Sequence, residues 1–115
     1  MAAPTVGTGV DREVALSRVG GDTELLAEIA RLFLDDYPKL LEELKAGAAR
    51  GDAKTVERTA HGLKGSVSNF GARAAVEAAL ALENMGRQQQ LSDVDGRMRV
   101  LEQALETLRP ELEAL

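Results

Sequence analysis

The chain has no cysteine and no tryptophan, and it carries one histidine, three prolines and three aromatic residues, Phe33, Tyr37 and Phe70. Without cysteine there are no disulfides and no thiolate metal sites. A single histidine excludes a multi-histidine metal centre within one chain. No apolar run approaches the roughly 18–20 residues of a membrane span. The first residues lack the basic start and apolar middle of a signal peptide. Acidic residues outnumber basic ones, 19 to 14, for a formal net charge of −5. Nucleic-acid binding needs a basic surface, so that class of partner is not expected. These absences point to a cytoplasmic protein with neither membrane nor nucleic acid as a partner.

What remains is a helix-forming composition. The 115 residues are 44% hydrophobic, and with so few aromatics the core must be built of Leu, Val and Ala, which favours helices over sheets. The length suits one domain. Residues 1–10, with Pro4, Gly7 and Gly9, show no period and are expected to be a disordered leader. Residues 11–115 are expected to form one helical domain. A short helix over Asp11–Val19 is stopped by Gly20-Gly21. Asp22 then caps a long helix whose apolar residues Leu25, Leu26, Ile29, Leu32, Phe33, Leu40, Leu41 and Leu44 follow helical spacing, with Pro38 expected to bend it. Gly51 ends that helix and Asp52 caps the next, which runs to about Asn69. Ala72–Arg87 follows, its inner face given by Ala75, Val76, Ala79, Leu82 and Leu80, with Gly86 and Gln88-Gln89-Gln90 at its end. Ser92 is expected to cap the last helix. There Val94, Met98, Leu101, Leu105, Leu108, Leu112 and Leu115 form a strict heptad seam, and Pro110 is expected to let the final residues fray. Four long amphipathic helices on short connections imply an all-α, antiparallel, up-down-up-down four-helix bundle, with the short N-terminal helix added at one end. The seam is expected to pack internally, leaving a monomer.

The third helix carries the chemistry. Val56, Ala60, Leu63, Val67 and Phe70 recur at four, three, four and three, which makes one narrow apolar stripe. His61, Lys64, Gly65 and Ser68 also recur at three and four, centred roughly 130° round the helix from that stripe, and Glu57 joins them. A neutral imidazole is a nucleophile near neutral pH, since its ordinary pKa is about 6.5. Lys64, one turn on, can reach an anion beside the ring. Gly65 costs about 1 kcal/mol in a helix interior relative to alanine, and clearance for a bulky group at His61 would offset that cost. Nucleophile, cation and clearance together suit a phosphoryl group passing onto a histidine nitrogen. There is no G-x-x-x-x-G-K-[ST] loop and so no sign of an ATP site.

The run Ala60-His61-Gly62-Leu63-Lys64-Gly65-Ser66, followed by Phe70-Gly71-Ala72, resembles the histidine-containing phosphotransfer (HPt) domain family of two-component phosphorelays. The likeness extends over roughly residues 11 to 113. It implies that His61 accepts a phosphoryl group from the aspartate of a receiver domain, or from a histidine kinase or hybrid kinase, and passes it to a response-regulator aspartate. It further implies that Lys64 offsets phosphate charge and that Gly65 admits the receiver. Glu83 would accept a hydrogen bond from His61 Nδ1–H, against the alternative of an exposed glutamate. Arg87 matches a basic position that would contact the partner or its own helix end. Ser68 would either touch phosphate or bond its own backbone. No cofactor or metal is expected on this chain; the metal ion such reactions use would sit on the receiver. Two other readings stay open: a non-catalytic helical-bundle adaptor, and the HPt domain of a larger hybrid or chemotaxis kinase. The initiating methionine and the near-complete coverage by one domain favour a stand-alone shuttle.

Overall fold

Aspartates mark three of the helix starts. Asp11, Asp22 and Asp52 each accept the backbone N–H three residues on, from Val14, Leu25 and Thr55, satisfying donors that the helix itself leaves free. The computed structural model describes residues 9–115. These form α1 (Arg12–Arg18), α2 (Thr23–Ala49), α3 (Ala53–Ser68), α4 (Arg73–Gln88) and α5 (Val94–Glu113), and no strand is present among the described residues. At about 1.5 Å per residue, the 27-residue α2 accounts for the 41 Å long axis of the molecule.

The helices α2 to α5 form an antiparallel four-helix bundle. Each packs on its neighbour in the chain, and α2 meets α5 to close the ring. The α1 helix sits at one end, where Asp11 donates its N–H to the Phe70 carbonyl at 2.9 Å. Gly71, in the turn between α3 and α4, has φ +61, and an added Cβ would lie only 3.0 Å from Val14 Cβ. A side chain there would be both strained and in the way of α1.

The core is aliphatic. Val56, Ala60, Leu63, Val67 and Phe70 are all fully buried, as are Leu44, Leu82 and Leu101. Phe33 stacks on Tyr37 at 5.2 Å and meets Phe70 at 5.7 Å. The heptad seam of α5 is used inside the chain: Val94, Met98, Leu101, Leu105, Leu108 and Leu112 are all buried.

Several local expectations change. Leu25, Leu32 and Leu80 face outward, 40%, 60% and 38% exposed, while Ala30, Tyr37 and Ala78 take inward positions. At Pro38, where a bend was expected, α2 is not split and stays one helix. The α5 helix likewise continues past Pro110 to Glu113, because Leu108 and Leu112 anchor its last turns in the core. Ser92 does not cap α5. Asp93 holds the N-cap position without a side-chain cap bond, its carboxylate being 3.4 Å from Arg97 Nε. Gly86 lies inside α4 and is buried; the helix closes at Gln89, whose φ of 56 is left-handed. Of the expected leader, residues 1–8 lie outside the described residues. Val10 donates its N–H to Glu111 Oε1 at 2.9 Å.

The Asp52 cap has a pH signature. The Thr55 hydroxyl, the Thr55 backbone N–H and then Arg50 hold its carboxyl down to about 2, from an ordinary 3.8. A carboxyl depressed in the folded state contributes stability above its unfolded pKa and loses it as pH falls through the folded value. Asp52→Ala should therefore lower the thermal midpoint at neutral pH. The gap from wild type should close as pH falls from 3.8 towards 2. Melting curves across that range check this, and a pH-independent gap would contradict it.

Candidate functional site

Helices α3 and α4 pack closely. The buried residues of α4 include the small Ala75, Ala78, Ala79 and Gly86, and Gly86 lies against the backbone of Ala53 and Glu57 on α3. That closeness brings a carboxylate from α4 under the exposed face of α3. Glu83 is buried, with its side chain 3% exposed, and it is the only charged residue among the buried ones described.

Three basic groups converge on it. His61 Nδ1 lies 2.9 Å from Glu83 Oε2. Arg87 Nη2 donates to the same oxygen at 2.9 Å. Lys64 Nζ is 2.7 Å from Oε1. The Lys64 contact is a short, charge-assisted ion pair. Arg87 also reaches back to α3, with Nε 3.2 Å from Glu57 Oε2, and touches Asn84 Oδ1 at 3.4 Å.

Burial is the largest influence on the Glu83 carboxyl and pushes its pKa up. Lys64 and His61, by hydrogen bonding and charge, push the other way and prevail, so the net shift is downward from 4.5. Glu83 is therefore ionised near neutral pH, and a carboxylate can only accept. The proton between it and His61 then belongs to Nδ1. In a neutral ring this leaves the lone pair on Nε2. The His61 side chain is 67% exposed, so a reagent can approach that nitrogen from solvent.

The other sequence candidates fall around this centre. A Cβ built on Gly65 meets no atom within 4 Å. Nothing in the fold itself demands a glycine there, and the space above it is open. The Ser68 hydroxyl donates to the Gly65 carbonyl at 2.7 Å, a local backbone bond. Glu57, placed by the sequence on the same face as His61, is tied to the site through Arg87. What the sequence did not reveal is the double use of Lys64 and Arg87 as counterions of one buried carboxylate. Their i+3 and i+4 spacings, from His61 and from Glu83, were the available signal. Among the described residues no group of three or more His, Cys, Asp or Glu is arranged to hold a metal ion. No helix among them is long and apolar enough to cross a membrane.

The family model described as the Hpt domain matches residues 28–111. The crystal structure of histidine-containing phosphotransfer protein B from Pseudomonas aeruginosa PAO1 superimposes with a TM-score of 0.85 at 25% identity, over 98% of this chain and 95% of that one. The HPT domain of a sensor hybrid histidine kinase from Shewanella shares the fold with a TM-score of 0.78 at 17% identity, over 95% and 93% of the two chains. Comparison with curated protein sequences gives no match. The chain belongs to the Hpt domain family, the histidine phosphotransfer domains of two-component phosphorelays.

Proposed function

We propose that His61 is the phosphoryl acceptor, that the new bond forms at Nε2, and that Glu83, Lys64, Arg87 and Gly65 serve this step. The observation that carries the reading is the Glu83–His61 hydrogen bond, 2.9 Å from a buried carboxylate to Nδ1 of an exposed ring. It fixes the ring by one nitrogen and leaves the other free.

The step balances simply. The Nε2 lone pair attacks phosphorus of an aspartyl phosphate on a receiver domain. The bond between phosphorus and the aspartate oxygen breaks, and the aspartate leaves as a carboxylate. The ring becomes a phosphorylated imidazolium that keeps its Nδ1 proton, and the negative charge of Glu83 stabilises that cation. Delivery to the next receiver reverses these events. Little else is asked of the protein, because phosphoryl transfer depends mainly on positioning and charge.

Lys64 is held by Glu83 at 2.7 Å in this state. An ammonium has three donors, so two remain for phosphoryl oxygens. Receiver domains and histidine or hybrid kinases are the partners this reading requires, and the metal ion of the reaction belongs to the receiver. Exposed apolar Leu32, on α2 before Pro38, supports an apolar docking surface on that stretch; its neighbour Phe33 packs on Phe70 in the turn after α3. The internal burial of the α5 seam supports a monomer, and residues 11–115 are read as one domain.

His61→Gln should remove all labelling by a panel of phosphorylated receivers and histidine kinases while circular dichroism stays unchanged. Acid-labile phosphate persisting on the folded variant would contradict the assignment. No labelling of wild type by any donor would favour a non-catalytic adaptor. Gly65 gives a test in which two quantities move oppositely. Gly65→Gln should raise stability by up to about 1 kcal/mol, since a helix-interior glycine is lost. It should slow transfer from a receiver at least about tenfold, because the side chain occupies the approach to His61. Unchanged transfer rates, measured beside chemical denaturation, would dismiss Gly65 as an access position.

A further inference from the structure

Gly86 is buried near the C-terminal end of α4, against the first turns of α3. An added Cβ would lie 2.5 Å from the Glu57 backbone nitrogen, 2.6 Å from the Ala53 carbonyl oxygen and 2.9 Å from Glu57 Cα. All three obstacles are backbone of α3, so no side-chain rotation can relieve them. The position differs from Gly47 on α2, where an added Cβ would first meet the Thr55 side chain, with Cγ2 at 2.7 Å.

The placement of this close approach relative to the site is what gives it meaning. The two helices are antiparallel. Moving one turn along α3, from Glu57 to His61, matches moving one turn back along α4, from Gly86 to Glu83. This close backbone approach therefore lies one turn, about 5.4 Å, from the His61–Glu83 hydrogen bond. Arg87, the residue after Gly86, spans the same junction by its contact with Glu57 at 3.2 Å. Glu83 needs the nearness. It is buried and held by an oxygen that both Arg87 and His61 share, so it has little freedom to extend.

We propose that Gly86 is a positioning residue for phosphotransfer: by lacking a side chain it lets α4 close onto α3 until Glu83 reaches Nδ1 of His61. The inference rests on His61 being the phosphoryl acceptor. Restoring ordinary contact around a Cβ at Gly86 requires the helices to part by roughly 1 Å. The 2.9 Å bond then stretches beyond hydrogen-bonding distance. Misplacement on that scale can lower a rate by about a hundredfold.

The test compares Gly86→Ala, Gly86→Val and Gly47→Ala with wild type by two measurements. The first is ¹⁵N NMR of the His61 imidazole, at a pH where the spectrum shows the ring neutral. Wild type should show the proton on Nδ1. Both Gly86 variants should lose that preference, more in valine than in alanine. Gly47→Ala should lower stability and leave the tautomer unchanged. The second is the transfer rate from whichever phosphorylated receiver labels wild type fastest. It should fall between about tenfold and a hundredfold in the Gly86 variants and stay within about twofold in Gly47→Ala. Should the valine variant not fold, the alanine variant carries the test. A retained Nδ1 proton and rate in folded Gly86→Ala would overturn the proposal, as would equal losses in Gly47→Ala. The tautomer measurement needs no donor. Failure of every receiver to label wild type would therefore count against His61 as acceptor, separately from Gly86.

Discussion

Burying a carboxylate is the constraint around which this bundle is arranged. Taking one such ion out of water costs several kcal/mol even after relaxation, and the chain meets that cost with side chains from two helices. Glu83 on α4 is held by Lys64 and His61 from α3 and by Arg87 from its own helix. The pairing is asymmetric in a useful way. The carboxylate is hidden while its partners are partly or largely exposed, so the charge organises groups that face solvent. An imidazole gripped only at Nδ1 presents Nε2 outward, already oriented and with its proton settled. The net lowering of the Glu83 pKa follows from the same contacts. It keeps the acceptor ionised where a neutral acid would instead offer a proton.

The remainder of the fold serves the closeness of α3 and α4. Much of the buried side of α4 is small, and Gly86 leaves no side chain between its backbone and that of α3. The larger side chains lie elsewhere. Leucines from α2 and α5 fill the centre, and the aromatic pair Phe33 and Phe70 closes the end nearest α1. A bundle made only of large side chains would hold its helices farther apart, and a short carboxylate could not span the gap.

Much of the architecture was legible because a 3.6-residue period is hard to disguise. The α3 stripe is buried throughout, and the α5 seam is buried as far as Leu112, with Leu115 only partly covered. The period fails where apolar residues are either too many or too small to define a side. On α2 the leucines surround much of the helix, so Leu25 and Leu32 looked internal although Ala30 and Tyr37 hold those inward positions. On α4 the alanines blur the face, and Leu80 fell on the wrong side of it. Gly86 looked like a stop because glycine commonly ends helices; its role in close packing depends on what α3 places opposite, which one helix alone cannot disclose. At the site, the spacing of His61, Lys64 and Gly65 was visible on a single helix. The Glu83 contact was suggested by family resemblance, since it joins residues 22 positions apart and no local pattern distinguishes a buried glutamate from a solvated one.

Whether a buried glutamate holds one imidazole nitrogen so that the other receives phosphate is measured most directly by ³¹P–¹⁵N NMR of the protein phosphorylated by a receiver, with histidine nitrogens labelled. A phosphorus coupled to Nε2 of His61, with the proton still on Nδ1, is the predicted result. Phosphorus bonded to Nδ1, or no phosphohistidine in a protein that carries phosphate, would contradict it.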